Sequence, residues 1–202
     1  MKYIFKLKRF GIKRAFVLLC VRSFQAVRIT IFKSMFSDNS PVLKHAIINQ
    51  PVRYMGKGSI NINGAIIGVG PSPMFLTSYA HLEAREIQAI IRVGQGTAIN
   101  NNASIIAEKS LIEIGARCLI GANFSVMDSD FHGLEIVNRR NGEYDCQEVI
   151  VGDDVFIGNN VTILKGVKIE CGAVIGSNSL VTSNVEPNAI YAGNPAKFIK
   201  YI

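Results

Sequence analysis

The chain has 202 residues, 49% of them hydrophobic and 18% charged, with a formal net charge of +7. That length suits one domain with a sizeable core, and the composition excludes a disordered chain. Nine of the 22 basic residues fall within residues 1–33, which hold no acid, so residues 34–202 set 13 bases against all 15 acids and are slightly acidic. A nucleic-acid-binding fold, which would spread basic charge over a folded surface, loses its main support.

The first segment, residues 1–37, reads as a basic amphipathic helix or helix pair. Lys2, Lys6, Arg9 and Lys13 share one helical face, while Ile4, Leu7, Val17 and Leu18 supply apolar surface. Two roles fit it equally: a cap on the open end of the fold that follows, or peripheral contact with an anionic membrane. The longest uncharged run, Ala15–Val21, is far short of a span, and no small-residue cleavage site follows it. The four cysteines, Cys20, Cys118, Cys146 and Cys171, form no CxxC pair, which predicts free thiols in a reducing, cytoplasmic compartment.

From about residue 50 to 185 the chain is repetitive. Tyr54, Ile60 and Ile66 begin a period of six. Val93, Ile99 and Ile105 continue it, then Ile114, Ile120 and Val126, reaching His132. The clearest stretch runs Val151, Ile157, Ile163, Ile169, Ile175 and Val181, with corner pairs such as Asn159-Asn160, Lys165-Gly166 and Ser177-Asn178 between units. A period of six is neither the 3.6 of a helix nor the alternation of one strand. It describes very short strands joined by corners that tolerate positive φ, three strands to a coil: an all-β solenoid, the parallel β-helix. Breaks in phase predict loops extruded near 70–87, 107–110 and 133–148, with residues 186–202 as a C-terminal tail.

Asp128-Ser129-Asp130-Phe131-His132, Val155-Phe156-Ile157-Gly158 and Ala192-Gly193-Asn194-Pro195-Ala196-Lys197, together with the repeats, resemble the hexapeptide-repeat acyltransferases. The similarity is greatest to the branch acetylating maltose, galactosides and nodulation sugars, and Ser72-Pro73-Met74-Phe75 and Ser78-Tyr79 are similar to acetyltransferases encoded with surface-polysaccharide genes. The resemblance implies a left-handed β-helix, where generic crossover rules give the opposite hand. It also implies a homotrimer using acetyl-CoA and a sugar or glycan acceptor, in an O-acetyltransferase of surface-polysaccharide synthesis.

His132 carries the chemistry. A sugar hydroxyl attacks a thioester poorly until a base removes its proton, and neutral imidazole suits that task. Asp128 or Asp130 could orient the ring, Asp130 lying on the acceptor side. The resemblance implies that Asn101 stands beside this His and holds the acceptor hydroxyl, and that Phe156 packs on the sugar. It further implies that Asn159 offers its backbone N–H to the thioester oxygen, Ser177, Thr182 and Ser183 line the coenzyme path, and Lys197 and Lys200 meet its phosphates.

Two alternatives stay open and a third is disfavoured. One is N-acylation of an amino sugar, which needs the same base. Another is a non-catalytic β-helix used for assembly. A γ-type carbonic anhydrase is disfavoured because His45, His81 and His132 lack a closely spaced pair of zinc ligands.

Overall fold

A computed structural model describes residues 11–140 and 142–202. Among these residues one helix, α1 (Ile12–Met35), precedes twenty short strands, β1 (Val42–Lys44) to β20 (Lys197–Tyr201). The basic face expected from Lys2, Lys6 and Arg9 lies outside the described residues.

The strands form three parallel sheets, each a stack of rungs one coil apart. The first sheet holds β1, β4 (Ser59–Asn63), β7 (Ile90–Val93), β10 (Leu111–Ile114), β13 (Val149–Val151) and β16 (Lys168–Ile169). The second holds β2 (Ile47–Ile48), β5 (Ile66–Ile67), β8 (Ala98–Ile99), β11 (Leu119–Ile120), β14 (Phe156–Ile157) and β17 (Val174–Ile175), followed by β19 (Ala189–Ala192) and β20. The third holds β3 (Val52–Met55), β6 (Ala80–Ala84), β9 (Ser104–Ala107), β12 (Ser125–Met127), β15 (Thr162–Ile163) and β18 (Leu180–Val181).

The six-residue period is a register. On the second sheet Ile67, Ile99, Ile120, Ile157 and Ile175 sit directly above one another. On the third, Tyr54, Leu82, Ile105, Val126, Ile163 and Val181 do the same. All are buried in one continuous core. Each coil covers the apolar residues of the next, so stability is a sum over neighbouring rungs.

The corners are built as carefully as the columns. Between the second and third sheets Asn102, Asn123, Asn160 and Asn178 all take positive φ. Each passes its side-chain amide to the next: Asn102 Nδ2 to Asn123 Oδ1 at 2.8 Å, Asn123 to Asn160 at 2.7 Å and Asn160 to Asn178 at 2.9 Å. Asparagine tolerates this backbone and bonds along the stack, which glycine cannot do. Asn123→Ala should therefore cost about 2–3 kcal/mol, combining backbone strain with two lost hydrogen bonds. Asn123→Gly should cost about half that, since it restores the backbone alone. Urea midpoints of the two variants check the difference.

Three expected boundaries move. The coils begin at Val42, ahead of residue 50, because β1 and β2 form a first turn. The loop expected over 70–87 ends at Tyr79, because Ala80–Ala84 is β6, its small residues Ala80 and Ala84 pointing inward with Leu82. The tail past 185 is no tail. It adds β19 in parallel and β20 antiparallel to the second sheet, with Val185, Ala189 and Ala196 buried.

Within Arg14–Met35 an 18-residue window reaches a mean hydropathy of 1.6, so the helix is, by length and composition alone, long and apolar enough to cross a membrane. The residues just after α1 close the free edge of β3: Ser37 Oγ accepts from Tyr54 N at 2.9 Å, and Asp38 N donates to Tyr54 O at 3.1 Å.

Candidate active site

His132 follows β12, where the third sheet would turn into the first. Its ring is exposed, and among the described residues no hydrogen bond or ion pair to it is recorded. The chain leaves the solenoid here and returns at β13. The stem of this loop is closed by a Ser129–Cys146 bridge and by Gln147 N donating to Asp128 O at 2.8 Å.

The two neighbouring carboxylates do not orient the imidazole. Asp128 is fully buried, and its oxygens accept the backbone N–H groups of Glu108 at 2.7 Å, Lys109 at 3.1 Å and Ser110 at 2.7 Å. It is the anchor of the β9–β10 turn. Asp130 pairs with Lys165 at 2.8 Å, and the same ammonium meets Asp145 at 3.0 Å. These pairs raise the Lys165 pKa, and the Lys165 contact lowers that of Asp145.

The residue before His132 is held by a cluster that sequence reasoning missed. Phe131, immediately before it, has a positive φ of 61°, and its N–H donates to Ser129 Oγ at 2.8 Å. The Arg85 guanidinium lies 4.8 Å from the Phe131 ring centre, a cation–π contact. Arg85 is itself gripped by Glu83 at 2.8 Å and by buried Glu108 at 2.8 Å. Both bonds raise its pKa, with the Glu83 contact the larger effect. Burial pushes the Glu83 carboxyl up, but Arg85 and His81, whose Nε2 lies 2.9 Å away, outweigh it and bring the pKa below the usual range.

From the far side of the loop, Tyr144 donates its hydroxyl to Glu108 at 2.6 Å, which pushes the phenol up to about 12. A cleft of about 710 Å³ opens beside this cluster, lined by Asp38, Asn39, Lys57, Glu83, Arg85 and Glu86. The alternation His81, Glu83 on an outward strand face was the available signal. It lies inside the stretch expected as loop over 70–87.

If Tyr144 fastens the loop, Tyr144→Phe should free residues 133–144 without unfolding the coils. The expected result is several-fold faster proteolytic cleavage in that loop, at a cost of about 1 kcal/mol to global stability.

The remaining predicted residues fall elsewhere. Asn101 is fully buried at the opposite end of the third sheet. Its Nδ2 donates to Val69 O at 3.0 Å and Pro73 O at 2.9 Å, and its Oδ1 accepts Val69 N at 3.2 Å. In this chain it clamps the 68–79 loop and does not stand beside its own His132. The Asn159 N–H, expected to be open, donates to Ser177 Oγ at 3.1 Å, at the corner between second and third sheets.

Phe156 is on the outer face of the second sheet, directly paired with exposed Leu119, and not beside His132. Thr182 and Ser183 are exposed just past β18, at the same edge as His132 but two coils further on. Lys197 and Lys200 are exposed on β20 with no ion pair recorded among the described residues. Two unpaired ammonium groups on one strand fit a polyanionic phosphate ligand. No group of His, Cys, Asp or Glu among the described residues could hold a metal.

The chain matches family models described as "Bacterial transferase hexapeptide (six repeats)" over residues 148–185 and "Hexapeptide repeat of succinyl-transferase" over 112–133. A probable macrolide acetyltransferase of Lysinibacillus sphaericus is 58% identical over 53 residues, 26% of this chain and 29% of that protein. The galactoside O-acetyltransferase of Escherichia coli K12 is 33% identical over 112 residues, 55% of this chain and 54% of that one. The matches thus span about half the length of these curated relatives or less. Among solved structures, a hexapeptide-repeat acetyltransferase of Vibrio cholerae complexed with acetyl coenzyme A superposes with a TM-score of 0.54 at 22% identity, covering 90% of this chain and 87% of that one. At that identity the likeness is one of fold.

Proposed function

Because this chain belongs to the hexapeptide-repeat acyltransferase family, we propose that it is an acetyl-CoA-dependent acetyltransferase acting on a sugar hydroxyl, in the synthesis of a surface polysaccharide on the cytoplasmic side. The observation that carries this reading is His132. It is an exposed imidazole at the mouth of a rigid coil, on a backbone fixed by Ser129, Arg85 and Tyr144, with the nearby carboxylates engaged elsewhere.

Acetyl-CoA supplies the acetyl group as a thioester. His132, in its neutral form, accepts the proton of the acceptor hydroxyl as that oxygen attacks the thioester carbonyl; the C–S bond then breaks, leaving the acetyl ester on the sugar, and coenzyme A departs as a thiolate that takes the proton back from the imidazolium. The polar cleft beside Arg85 gives the acceptor its hydrogen-bonding partners, with Glu83 and Glu86 as acceptors of sugar hydroxyls and Arg85 and Lys57 as donors. Ser177 Oγ accepts the Asn159 N–H, so its own hydroxyl proton is free to donate. We assign the oxyanion donor at that corner to Ser177, with Asn159 polarising it.

His132 and the Asn159–Ser177 corner lie at opposite ends of the third sheet, so one chain does not bring them together. A homotrimer in which one protomer's corner meets its neighbour's His132 completes the site. The outward apolar residues Leu119 and Phe156 on the second sheet suit burial at such an interface.

The test is release of free thiol from acetyl-CoA by the purified protein against simple sugars, sugar nucleotides, lipid-linked glycans and a macrolide. Turnover on a sugar hydroxyl supports the reading. Acetylation confined to an amino group or to the macrolide refutes the sugar O-acetyl assignment, and no thiol release with any acceptor refutes the enzyme.

A further inference from the structure

Helix α1 presents apolar side chains on two sides: Val21, Ile29 and Phe32 are half-buried toward the body, with the Phe32 ring 5.0 Å from that of Tyr79. Its middle turns aim polar side chains at the body: Gln25, only 4% exposed, donates to Phe75 O at 2.7 Å, and Arg28 donates to Gln25 Oε1 and to Ser78 O, each at 2.7 Å. A second set of apolar side chains faces away, with Phe16 65%, Leu19 62% and Val27 58% exposed, alongside Phe24, Val17 and Met35. At 3.6 residues per turn these outward residues share one side of the helix, with Arg22 and Lys33 along its flank. A helix docked on a soluble solenoid would normally leave its outer side polar.

The geometry points to an anionic bilayer surface as the partner of this face, with α1 lying in the plane of the interface. Two observations select that occupant. The first is charge: residues 1–33 carry nine Lys and Arg and no acid. A second copy facing the same surface would set these like charges against each other, whereas anionic headgroups neutralise them. The second is attachment. Gln25 and Arg28 are bonded to main-chain carbonyls of the 70–79 loop, so a spanning helix would either break those bonds or draw the loop into hydrocarbon. An in-plane helix keeps them while its outer side chains enter the acyl boundary. The 24-residue helix then holds the base of the solenoid against the membrane, whatever reaction the coils perform.

The test is sedimentation of the full-length protein with vesicles of equal phosphatidylglycerol and phosphatidylcholine, and with phosphatidylcholine alone. Binding is expected to the anionic vesicles, to weaken as salt rises, and to be released by alkaline carbonate. Phe16→Ser, Leu19→Ser and Val27→Ser combined should lower the partition coefficient at least about tenfold, with circular dichroism and elution volume unchanged. Failure of the unaltered chain to bind anionic vesicles, or equal binding by the triple variant, overturns the proposal. So does retention in carbonate, which would mean a spanning helix. A change in oligomeric state of the variant without lipid would make the face a subunit contact instead.

Discussion

His132→Ala is expected to lower turnover by about 10²–10⁴-fold, the usual worth of a positioned general base, while leaving the solenoid intact. The side chain is exposed and belongs to no hydrogen-bonded network recorded among the described residues, so its removal should shift stability by no more than about 0.5 kcal/mol. The KM for acetyl-CoA should hold if its phosphates meet Lys197 and Lys200, as the family resemblance implies, because both are on β20, away from this loop. Steady-state kinetics beside a urea melt decide the matter. Near-normal turnover in a folded variant would remove His132 from the mechanism.

Asp128→Ala is expected to behave in the opposite way. Three backbone N–H groups converge on this buried carboxylate, and truncation leaves them without an acceptor. Each orphaned donor costs about 1–3 kcal/mol, so a total near 3–5 kcal/mol is expected, with relaxation of the turn recovering part of the sum. The turn carries Glu108, which holds both Arg85 and Tyr144, so activity should fall as well. Asp128→Asn separates the two roles. Its single carbonyl oxygen can serve part of the turn, so stability should recover by about half. An orienting carboxylate for His132 would instead show itself as a change in the pH profile of kcat at nearly full stability.

The columns of the β-helix were legible because each rung contributes one large aliphatic residue to a common axis. Ile157, Ile163, Ile169 and Ile175 announce it with no knowledge of the rest of the chain. The first coil was less legible, because a terminal rung has one covered side. Val42 and Ile47 are exposed, and the contrast between inward and outward residues fades there. Strand β6 was hidden for a different reason: Ala80 and Ala84 are small inward residues and carry little of the period's signal.

Within the site, His132 could be singled out because its chemistry is intrinsic to the side chain. The partners of the neighbouring residues could not. Asp128 and Asp130 look alike in sequence, and only the stacking of coils puts one under three amide groups and the other against Lys165, 35 positions away. Asn101 is similar. Its composition suits a substrate contact as well as a corner, and the depth at which the 68–79 loop crosses it decides for the loop.

The overall basic charge, the repeat and the histidine that ends one of its runs follow from the order of residues alone, because period and charge are local quantities. Which way α1 faces is not local. Its sequence is compatible with a cap or a membrane contact. The backbone carbonyls of Phe75 and Ser78, brought near by a loop some 50 residues downstream, draw Gln25 and Arg28 inward, which leaves Phe16, Leu19 and Val27 outward. Hydrogen-bonding groups that only the folded solenoid assembles in one place determine that choice.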